Sequence, residues 1–474
     1  MLMTKNNIKE NWKMKKCNVI AKSLLIAFVL FVYVGLNSSP TKAAVPDSQI
    51  IFLDLFGNVS ELNEHKGDAT LFKTIDANKK EMYGLIDSGS GSAAQYAELT
   101  NNLARTMGTK KLRAIIVTHF DLDHAGGFER LINDGKFVDS NTKLYIKDIT
   151  TFSSATDSTD AATKNLVKRC DAIKAAAKKR GMEIAKILPQ NNVAAATVTK
   201  EASTLAGRMD YLRNKAPNNM FQTKISRYNK NAAGSYVLTS TNTTGVVQFG
   251  QFEMTFYNGY DWNKTAVVPG SYNENINSLS ILLKGNYTGS NSKVTTLISG
   301  DLGAYSENGA TVYVAERISK LTGKISIYQI PHHGYYGSLT PWTYWLEKNK
   351  LQPTNTIRHL SPKHAIATTS YQSIAYKGVN KINGNTTGVL QKFYDTDTKR
   401  LSAAFDTVKE VSKSPDLQKV YFIGGNTKVK ESTSKYRLIN MFTTEPYAEK
   451  NASGDLKKGN VTVNIFSTSY KVVQ

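Results

Sequence analysis

Four potential metal ligands stand within six residues of one another in the segment Thr118–Gly127: His119, Asp121, Asp123 and His124. On an extended loop, side chains at positions i and i+2 point the same way, so His119 and Asp121 could hold one metal ion. Asp123 and His124 lie past the turn and could hold a second. Imidazole and carboxylate groups suit Zn²⁺ or Mn²⁺, and this segment therefore predicts a site for two divalent metal ions.

Two further segments place polar side chains where an apolar strand ends beside glycine. Thr296–Gly303 reaches Asp301, whose carboxylate could bridge two metal ions. Tyr328–Gly334 ends in the pair His332–His333, in a chain that has only seven histidines. We expect at least one histidine of the pair to bind metal.

Such a ligand set predicts hydrolysis by water activated on the metal ions. Asp123 or Asp301 would orient that water and take its proton. A serine nucleophile is not expected, because Ser88 lies in no GxSxG segment, and neither a P-loop nor a dinucleotide fingerprint is present. Cys170 stands at helical spacing with apolar residues and is expected to be a buried filler.

Short apolar strands must position these residues. Leu112–Val117 is predicted to be a buried strand that ends at the first ligand segment. Further strands are predicted at Gln49–Phe56, Thr70–Ile75, Met82–Ile86, Lys143–Ile146, Val246–Tyr257 (a hairpin about Gly250), Ser278–Leu283, Val294–Ser299 and Ile325–Ile330, and helices at Ala94–Met107 and Asn165–Ala185. Consecutive strands separated by a few helices indicate a mixed α/β sandwich.

These motifs resemble the metallo-β-lactamase superfamily, and specifically the hydrolase domain of bacterial DNA-internalisation competence proteins. The resemblance extends from about Gln49 to Thr369 and rests on the segments Gly67-Asp68-Ala69, Ile86-Asp87-Ser88-Gly89, His119-Phe120-Asp121-Leu122-Asp123-His124, Asn277-Ser278-Leu279, Ser299-Gly300-Asp301 and Pro331-His332-His333-Gly334. It implies an αββα sandwich of two mixed β-sheets flanked by helices. By the same resemblance Asp87 and Asn277 support the metal loop, and Asp301 bridges the two ions.

The sequence departs from the family pattern at two places. No histidine occurs between His124 and His332, so the usual third-motif histidine is missing, and Asn275, Asn277 or water must complete that coordination. The oxygen-rich ligand set favours manganese slightly over zinc. The family's Gly-His-Pro stretch is also missing, and the nearby His364 is expected to be a surface residue.

The domain organisation follows from composition. Residues 1–44 combine lysines, an apolar run of 14 residues from Ser23 to Leu36 and small residues before Ala44, which is typical of a signal peptide. An uncleaved membrane anchor is the alternative. Residues 45–395 are predicted to form the hydrolase domain, with an insertion of loops and one short helix at about 191–244. Residues 396–474 are predicted to be a β-rich extension.

The net charge of +22, about +16 without residues 1–44, favours an anionic substrate, either nucleic acid or a cell-wall polyanion. No stable protein partner is predicted. The leading hypothesis is a secreted phosphodiesterase or nuclease. The alternatives are a cell-envelope esterase acting on teichoic-acid or phospholipid-like diesters, and a non-catalytic polyanion-binding module of the same fold.

Overall fold

The computed structural model describes residues 46–57, 61–62, 67–190, 204–264, 272–286, 293–303, 310–334, 349–369, 413–424, 428–429, 457–466 and 469–474, together with residues 268, 339, 346, 411 and 452. Pro46–Gln474 form one compact unit. The predicted signal segment lies outside the described residues. Within the described ranges, no helix has the length and apolar character needed to cross a membrane.

The first sheet has ten strands among the described residues. In chain order they are β1 (Ser48–Phe52), β3 (Thr70–Ile75), β4 (Glu81–Ile86), β5 (Ala114–Val117), β6 (Lys143–Ile146), β7 (Glu183–Pro189), β8 (Thr223–Lys230), β9 (Tyr236–Asn242), β18 (Val461–Ile465) and β19 (Tyr470–Val473). Their spatial order is β19-β18-β1-β3-β4-β5-β6-β7-β8-β9. The central pairs from β4 to β7 are parallel, and the outer pairs are antiparallel.

The second sheet has seven strands among the described residues, and their order in the sheet follows their order in the chain. They are β10 (Val246–Phe249), β11 (Phe252–Tyr257), β12 (Ser280–Asn286), β13 (Lys293–Ile298), β14 (Ile327–Gln329), β15 (His364–Ala367) and β16 (Lys419–Phe422). From β13 onward its pairs are parallel. The two short strands β2 (Glu61–Leu62) and β17 (Lys428–Val429) pair with each other.

Helices cover the outer face of each sheet. They are α1 (Ala93–Met107), α2 (Leu122–Ala125), α3 (Phe128–Asp134), α4 (Ser153–Thr156), α5 (Ala161–Lys179), α6 (Leu205–Asp210), α7 (Glu274–Asn277), α8 (Ala310–Thr322) and α9 (Thr356–Leu360). Ser92 caps α1 through its side chain, and Asp160 caps α5 in the same way.

The period-two alternation of the strands explains the layers. On β5, Ile115 and Val117 pack outward against α1, α3 and α5, whereas Ile116 packs inward between the sheets. On β12, Ile281 joins the same inner core, and Leu282 packs outward with α8 and α9. The result is the expected αββα sandwich of two mixed sheets.

Three expectations about local structure were wrong. The helix predicted at Asn165–Ala185 ends at Lys179, because Gly181 takes a left-handed conformation (φ +74°) and the chain turns into β7. The region expected to be an insertion of loops holds a short helix, α6, but also β8 and β9, which extend the first sheet. His364 is not a surface residue: it is 8% exposed on β15.

The C-terminal strands belong to the main sheets. β16 lies at the edge of the second sheet, and β18 pairs with β1 in the first. Residues 396–410 and 430–451 of the predicted β-rich extension lie outside the described residues. The boundary proposed at residue 395 stays a prediction.

Candidate metal centre

The candidate ligands meet where strands of both sheets reach their carboxyl ends. β4 leads to Asp87, β5 to His119, β13 to Asp301 and β14 to the histidine pair His332–His333. β4 and β5 are parallel neighbours, as are β13 and β14, so each pair of strands ends on one edge. The carboxyl-terminal edges of two facing sheets thus form one site.

Backbone hydrogen bonds hold the strand ends together. Leu279 N donates to Thr118 O at 2.8 Å, which joins the second sheet to the first. His332 N donates to Gly300 O at 3.1 Å. A Cβ at Gly126 would lie 2.2 Å from Ser90 O, so only glycine lets the ligand loop approach the segment after β4 so closely.

Asp87 is a buried hydrogen-bond acceptor beneath the ligand loop. Its Oδ1 accepts from Thr118 N at 2.9 Å, and its Oδ2 accepts from the Thr118 hydroxyl at 2.6 Å. His124 Nδ1 lies 2.8 Å from the same Oδ2. A carboxylate only accepts, so His124 carries a proton on Nδ1. Its Nε2 faces the other side, 3.0 Å from Asp301 Oδ1. Asp87 therefore supports the ligands rather than joining them.

His119 is oriented in the same way through Thr118. His119 Nδ1 lies 3.0 Å from the Thr118 hydroxyl, which donates its own hydrogen to Asp87. The hydroxyl oxygen must then accept from Nδ1–H. Nε2 of His119 faces two carboxylates, 3.5 Å from Asp301 Oδ2 and 3.7 Å from Asp121 Oδ2.

Buried ligand atoms face one another at the centre of the site. His124 Nε2 lies 3.0 Å from Asp301 Oδ1, and His119 Nε2 lies 3.5 Å from Asp301 Oδ2. His119, His124 and Asp301 offer ligand atoms within 4.8 Å of one another, and all three residues are buried. Imidazole nitrogens that converge on a buried carboxylate in this way are a donor set that a divalent cation prefers, and an ion could replace the protons between them. The residues therefore fit a metal ion.

His333 approaches from the opposite side. It is fully buried, with Nδ1 2.8 Å from Asp68 Oδ1 and Nε2 3.1 Å from Asp123 Oδ2. His332 is partly exposed, and its Nε2 lies 3.9 Å from Asp301 Oδ2. Both histidines have positive φ angles, 51° for His332 and 59° for His333, a strained backbone of the kind found at functional sites.

Asn277 is committed to hydrogen bonds within the protein. Its Oδ1 accepts from Trp262 N at 3.2 Å and from Lys147 Nζ at 3.3 Å. Its Nδ2 donates to Asn263 Oδ1 and to Asn273 O, each at 2.8 Å. The next residue, Ser278, places its Oγ 3.3 Å from His119 Nδ1 and accepts from Asp301 N at 3.2 Å. Asn277 thus holds a loop beside the ligands and leaves no oxygen for a metal ion.

Carboxylates dominate the electrostatics of the site. Burial alone would lower the pKa of His119, but the charge of Asp301 and a hydrogen bond with Asp121 raise it to about 10. Burial would also lower the pKa of His333, but Asp68 and Asp123 raise it to about 9. Burial would raise the pKa of Asp301, but His124 and the neighbouring imidazoles hold it well below its usual range. The carboxylates of the site thus stabilise positive charge, and metal ions must displace protons from the imidazoles.

Seven predicted ligands, four on the loop together with Asp301, His332 and His333, meet in this site, and the structure adds residues that sequence patterns missed. Glu274 accepts a hydrogen bond from Phe120 N, and Arg169 donates to Phe120 O. Both backbone polar groups of Phe120, which stands between two candidate ligands, are therefore held. Asp68 is the third addition. Its signal was the Gly67-Asp68-Ala69 segment, which was assigned no role in the site.

Residues 79–165 match the family model described as the metallo-beta-lactamase superfamily. Over this stretch the chain is similar to the metallo-β-lactamase superfamily. The matched residues include Asp87 and the ligand loop. Members of this superfamily are typically metal-dependent hydrolases and commonly bind two divalent metal ions, for which this chain has candidate ligand clusters. No curated protein matches the chain.

Several solved structures are similar to the chain at low identity. The metallo-beta-lactamase fold protein YhfI from Bacillus subtilis is 11% identical, with 60% of this chain and 70% of that chain covered and a TM-score of 0.27. A long form RNase Z from yeast is 13% identical, with coverages of 70% and 38% and a TM-score of 0.32. The flavodiiron protein from Giardia intestinalis is 9% identical, with coverages of 80% and 82% and a TM-score of 0.26. We draw no conclusion about substrate from them.

Proposed function

We propose that this chain is an exported, metal-dependent phosphodiesterase that cleaves nucleic acid outside the cell. One observation carries the proposal: His119, His124 and Asp301 converge in a buried cluster whose ligand atoms lie within 4.8 Å of one another. Catalysis by such a cluster needs no nucleophilic side chain, and the deeply buried Cys170 thiol is not placed to supply one.

The ligands divide into two sets around Asp301. His119, Asp121 and Asp301 would hold the first ion, with His332 beside them in place of the missing third-motif histidine. Asp123, His124 and His333 would hold the second. Two divalent ions bound there would lower the pKa of a water molecule and polarise the scissile phosphoryl group.

The protein's own groups orient the ligands and move the proton. Asp87 and Thr118 fix the imidazoles of His119 and His124 with their Nε2 atoms inward. Asp123 has a side chain that is 13% exposed, at the rim of the cluster and 3.1 Å from His333 Nε2. A carboxylate that is bound to the site and still open to solvent can take a proton from water and release it, so we assign Asp123 this role.

Charge and sequence resemblance support a nucleic acid substrate. The net charge of +22 favours phosphate backbones, because each neutralised phosphate releases condensed counterions. The ligand loop also resembles that of DNA-internalisation competence proteins, whose name indicates action at DNA. A phosphodiester is therefore the bond we assign to this site.

The test compares wild-type protein with Asp301→Asn, using Asp210→Asn as a control because Asp210 is exposed on α6. Metal content and turnover of single-stranded DNA, RNA and bis-p-nitrophenyl phosphate would be measured with Mn²⁺ and with Zn²⁺. We expect Asp301→Asn to lose at least one equivalent of metal and all turnover, and the control to lose neither. If the protein cleaves bis-p-nitrophenyl phosphate but neither DNA nor RNA, the assigned substrate becomes an envelope diester. Retention of both ions in Asp301→Asn would refute the site.

A further inference from the structure

One buried carboxylate near the site belongs to neither ligand set. Asp68 lies just before β3 and is 1% exposed. Its backbone N donates to Asp123 O at 3.0 Å, and its backbone O accepts from Gly89 N at 2.9 Å. The residue is thus built into the ligand loop and into the segment after β4.

The side chain of Asp68 reaches the second sheet. Its Oδ1 lies 2.8 Å from His333 Nδ1, and its Oδ2 accepts from Gln329 Nε2 at 2.5 Å. The Thr368 hydroxyl also lies 3.1 Å from His333 Nδ1. A carboxylate can only accept, so both imidazole nitrogens of His333 carry a proton while no ion is bound, and Asp68 keeps the proton on Nδ1 when an ion displaces the one on Nε2.

We propose that Asp68 is a positioning residue for His333: it holds the imidazole in the Nδ1–H tautomer with Nε2 turned to the second ion position. The inference rests on the proposed function, since His333 is a ligand only there. Asp68 repeats for His333 what Asp87 does for His124, where a carboxylate likewise lies 2.8 Å from Nδ1. Carboxylate–imidazole–metal arrangements of this kind raise the basicity of the ligand nitrogen.

A direct ligand role is the competing explanation. Asp68, His124 and His333 offer atoms within 4.8 Å of one another and could form a metal group of their own. The two Nδ1 atoms, however, each lie 2.8 Å from a carboxylate oxygen, a hydrogen-bond distance that leaves no room for an ion between them. His124 Nδ1 is 3.9 Å from Asp68 Oδ2, and the Nε2 atoms point elsewhere.

Gln329 allows the conservative variant Asp68→Asn to keep both side-chain hydrogen bonds of Asp68. In Asp68→Asn, the amide oxygen can still accept from His333 Nδ1–H. The new amide nitrogen can donate to Gln329 if that side chain rotates its amide, and Gln329 Oε1 is buried without a hydrogen-bond partner among the described residues. Asp68→Ala removes both contacts. The two variants therefore separate loss of orientation from loss of charge.

The experiment measures Zn²⁺ and Mn²⁺ binding by titration, and the tautomer of His333 by ¹⁵N NMR of histidine-labelled, metal-free protein at a pH above its raised pKa of about 9, where the imidazole is neutral. In Asp68→Ala we expect the second equivalent to bind about 10–100-fold more weakly, with the first retained, and His333 to lose its pure Nδ1–H signature. Asp68→Asn should restore the tautomer and most of the affinity. Asp148→Asn is the control, because Asp148 is equally buried but pairs with Lys174 and Lys186.

Two results would overturn the proposal. One is an Asp68→Ala variant with wild-type metal binding and an unchanged His333 tautomer. The other is an Asp68→Asn variant that keeps the tautomer but loses the ion as fully as Asp68→Ala, which would make Asp68 a ligand. If wild-type protein binds no metal, the proposed function fails, while the tautomer measurement still decides the role of Asp68.

Discussion

At the scale of single residues, the site depends on which imidazole nitrogen faces inward. His119, His124 and His333 each have a protein acceptor at Nδ1 and turn Nε2 to a carboxylate of the site. Histidine can bind metal through either nitrogen, so the acceptor at the other nitrogen decides the geometry. Two aspartates and one threonine hydroxyl therefore set up the ligands without binding metal.

The substitution Asp87→Asn tests this support. Asparagine tolerates the positive φ of 57° at this position, so the backbone should be retained. Asp87 accepts from Thr118 N, from the Thr118 hydroxyl and from His124 Nδ1, and an amide has only one acceptor oxygen. We expect metal affinity to fall by about 10–100-fold, measured by competitive titration with a chelator.

Asp76→Asn is the matched control, because Asp76 accepts only exposed backbone N–H groups, from Asn78 and Lys80. It should leave metal affinity unchanged. Equal affinities in wild type and Asp87→Asn would show that the imidazoles hold their orientation without Asp87.

At the scale of elements, a buried lysine joins the two sheets behind the site. Lys147 follows β6 and is 2% exposed. Its ammonium donates to Asn258 O at 2.9 Å and to Asn277 O at 2.8 Å, on the segments after β11 and at the end of α7. Burial lowers the pKa of Lys147 from 10.5 to about 7, partly offset by Asp261 and Glu274.

This pKa predicts a pH dependence of stability. Below pH 7 Lys147 is protonated in both the folded and the unfolded protein, so it contributes nothing to the pH dependence of the free energy of unfolding. Between about pH 7 and 10.5 only the unfolded chain binds the proton, so the free energy of unfolding should rise with pH, by up to about 1.4 kcal/mol per pH unit. The slope should disappear in Lys147→Met, as measured by urea unfolding from pH 6 to pH 10.

Lys324→Met is the control, because the Lys324 side chain is 77% exposed and should leave the slope as in wild type. If Lys147→Met and wild type respond to pH identically, the lysine keeps its ordinary affinity for protons in the folded protein.

At the scale of the whole molecule, charge and metal chemistry can be separated. With a net charge of about +16 without residues 1–44, we expect binding of single-stranded DNA to weaken steeply with salt, with a slope of roughly −0.7 per phosphate contact in a logarithmic plot. Fluorescence anisotropy at several NaCl concentrations measures this. Asp301→Asn should bind with nearly the same slope although it does not cleave. Salt-dependent binding without cleavage by wild type under any divalent metal would identify a binding module instead.

The N-terminal segment predicts export. Protein recovered from the culture medium should begin near Ala44, because a basic region, a 14-residue apolar run and small residues precede that position. N-terminal sequencing measures the start. Recovery from membranes alone, with Met1 or Met14 retained, would establish an anchor in place of a signal peptide.

Local pattern was sufficient to predict a mixed α/β sandwich, the candidate ligand loop and the strands before each candidate ligand, whereas the αββα arrangement was implied by the family resemblance. His119 to His124 are contiguous, and Asp301 and the pair His332–His333 each follow an apolar strand beside glycine, so their chemistry is visible within a few residues. Strand alternation also placed β3 and β6 at their observed bounds. Periodicity failed where patterns of helix and strand compete, as at β7, and where polar strands such as β9 lie exposed at a sheet edge.

Only the tertiary structure decided what surrounds the ligands. Asp68 and His333 are 265 positions apart, and they meet because β3 and β14 lie in facing sheets whose ends converge. The same convergence places Glu274 against the Phe120 peptide and commits Asn277 to the protein. It buries His364 at the opposite end of β15 from Thr368, which contacts His333. A residue type shows which chemistry is available, whereas burial and distance, which depend on how the sheets pack, decide whether that chemistry is used.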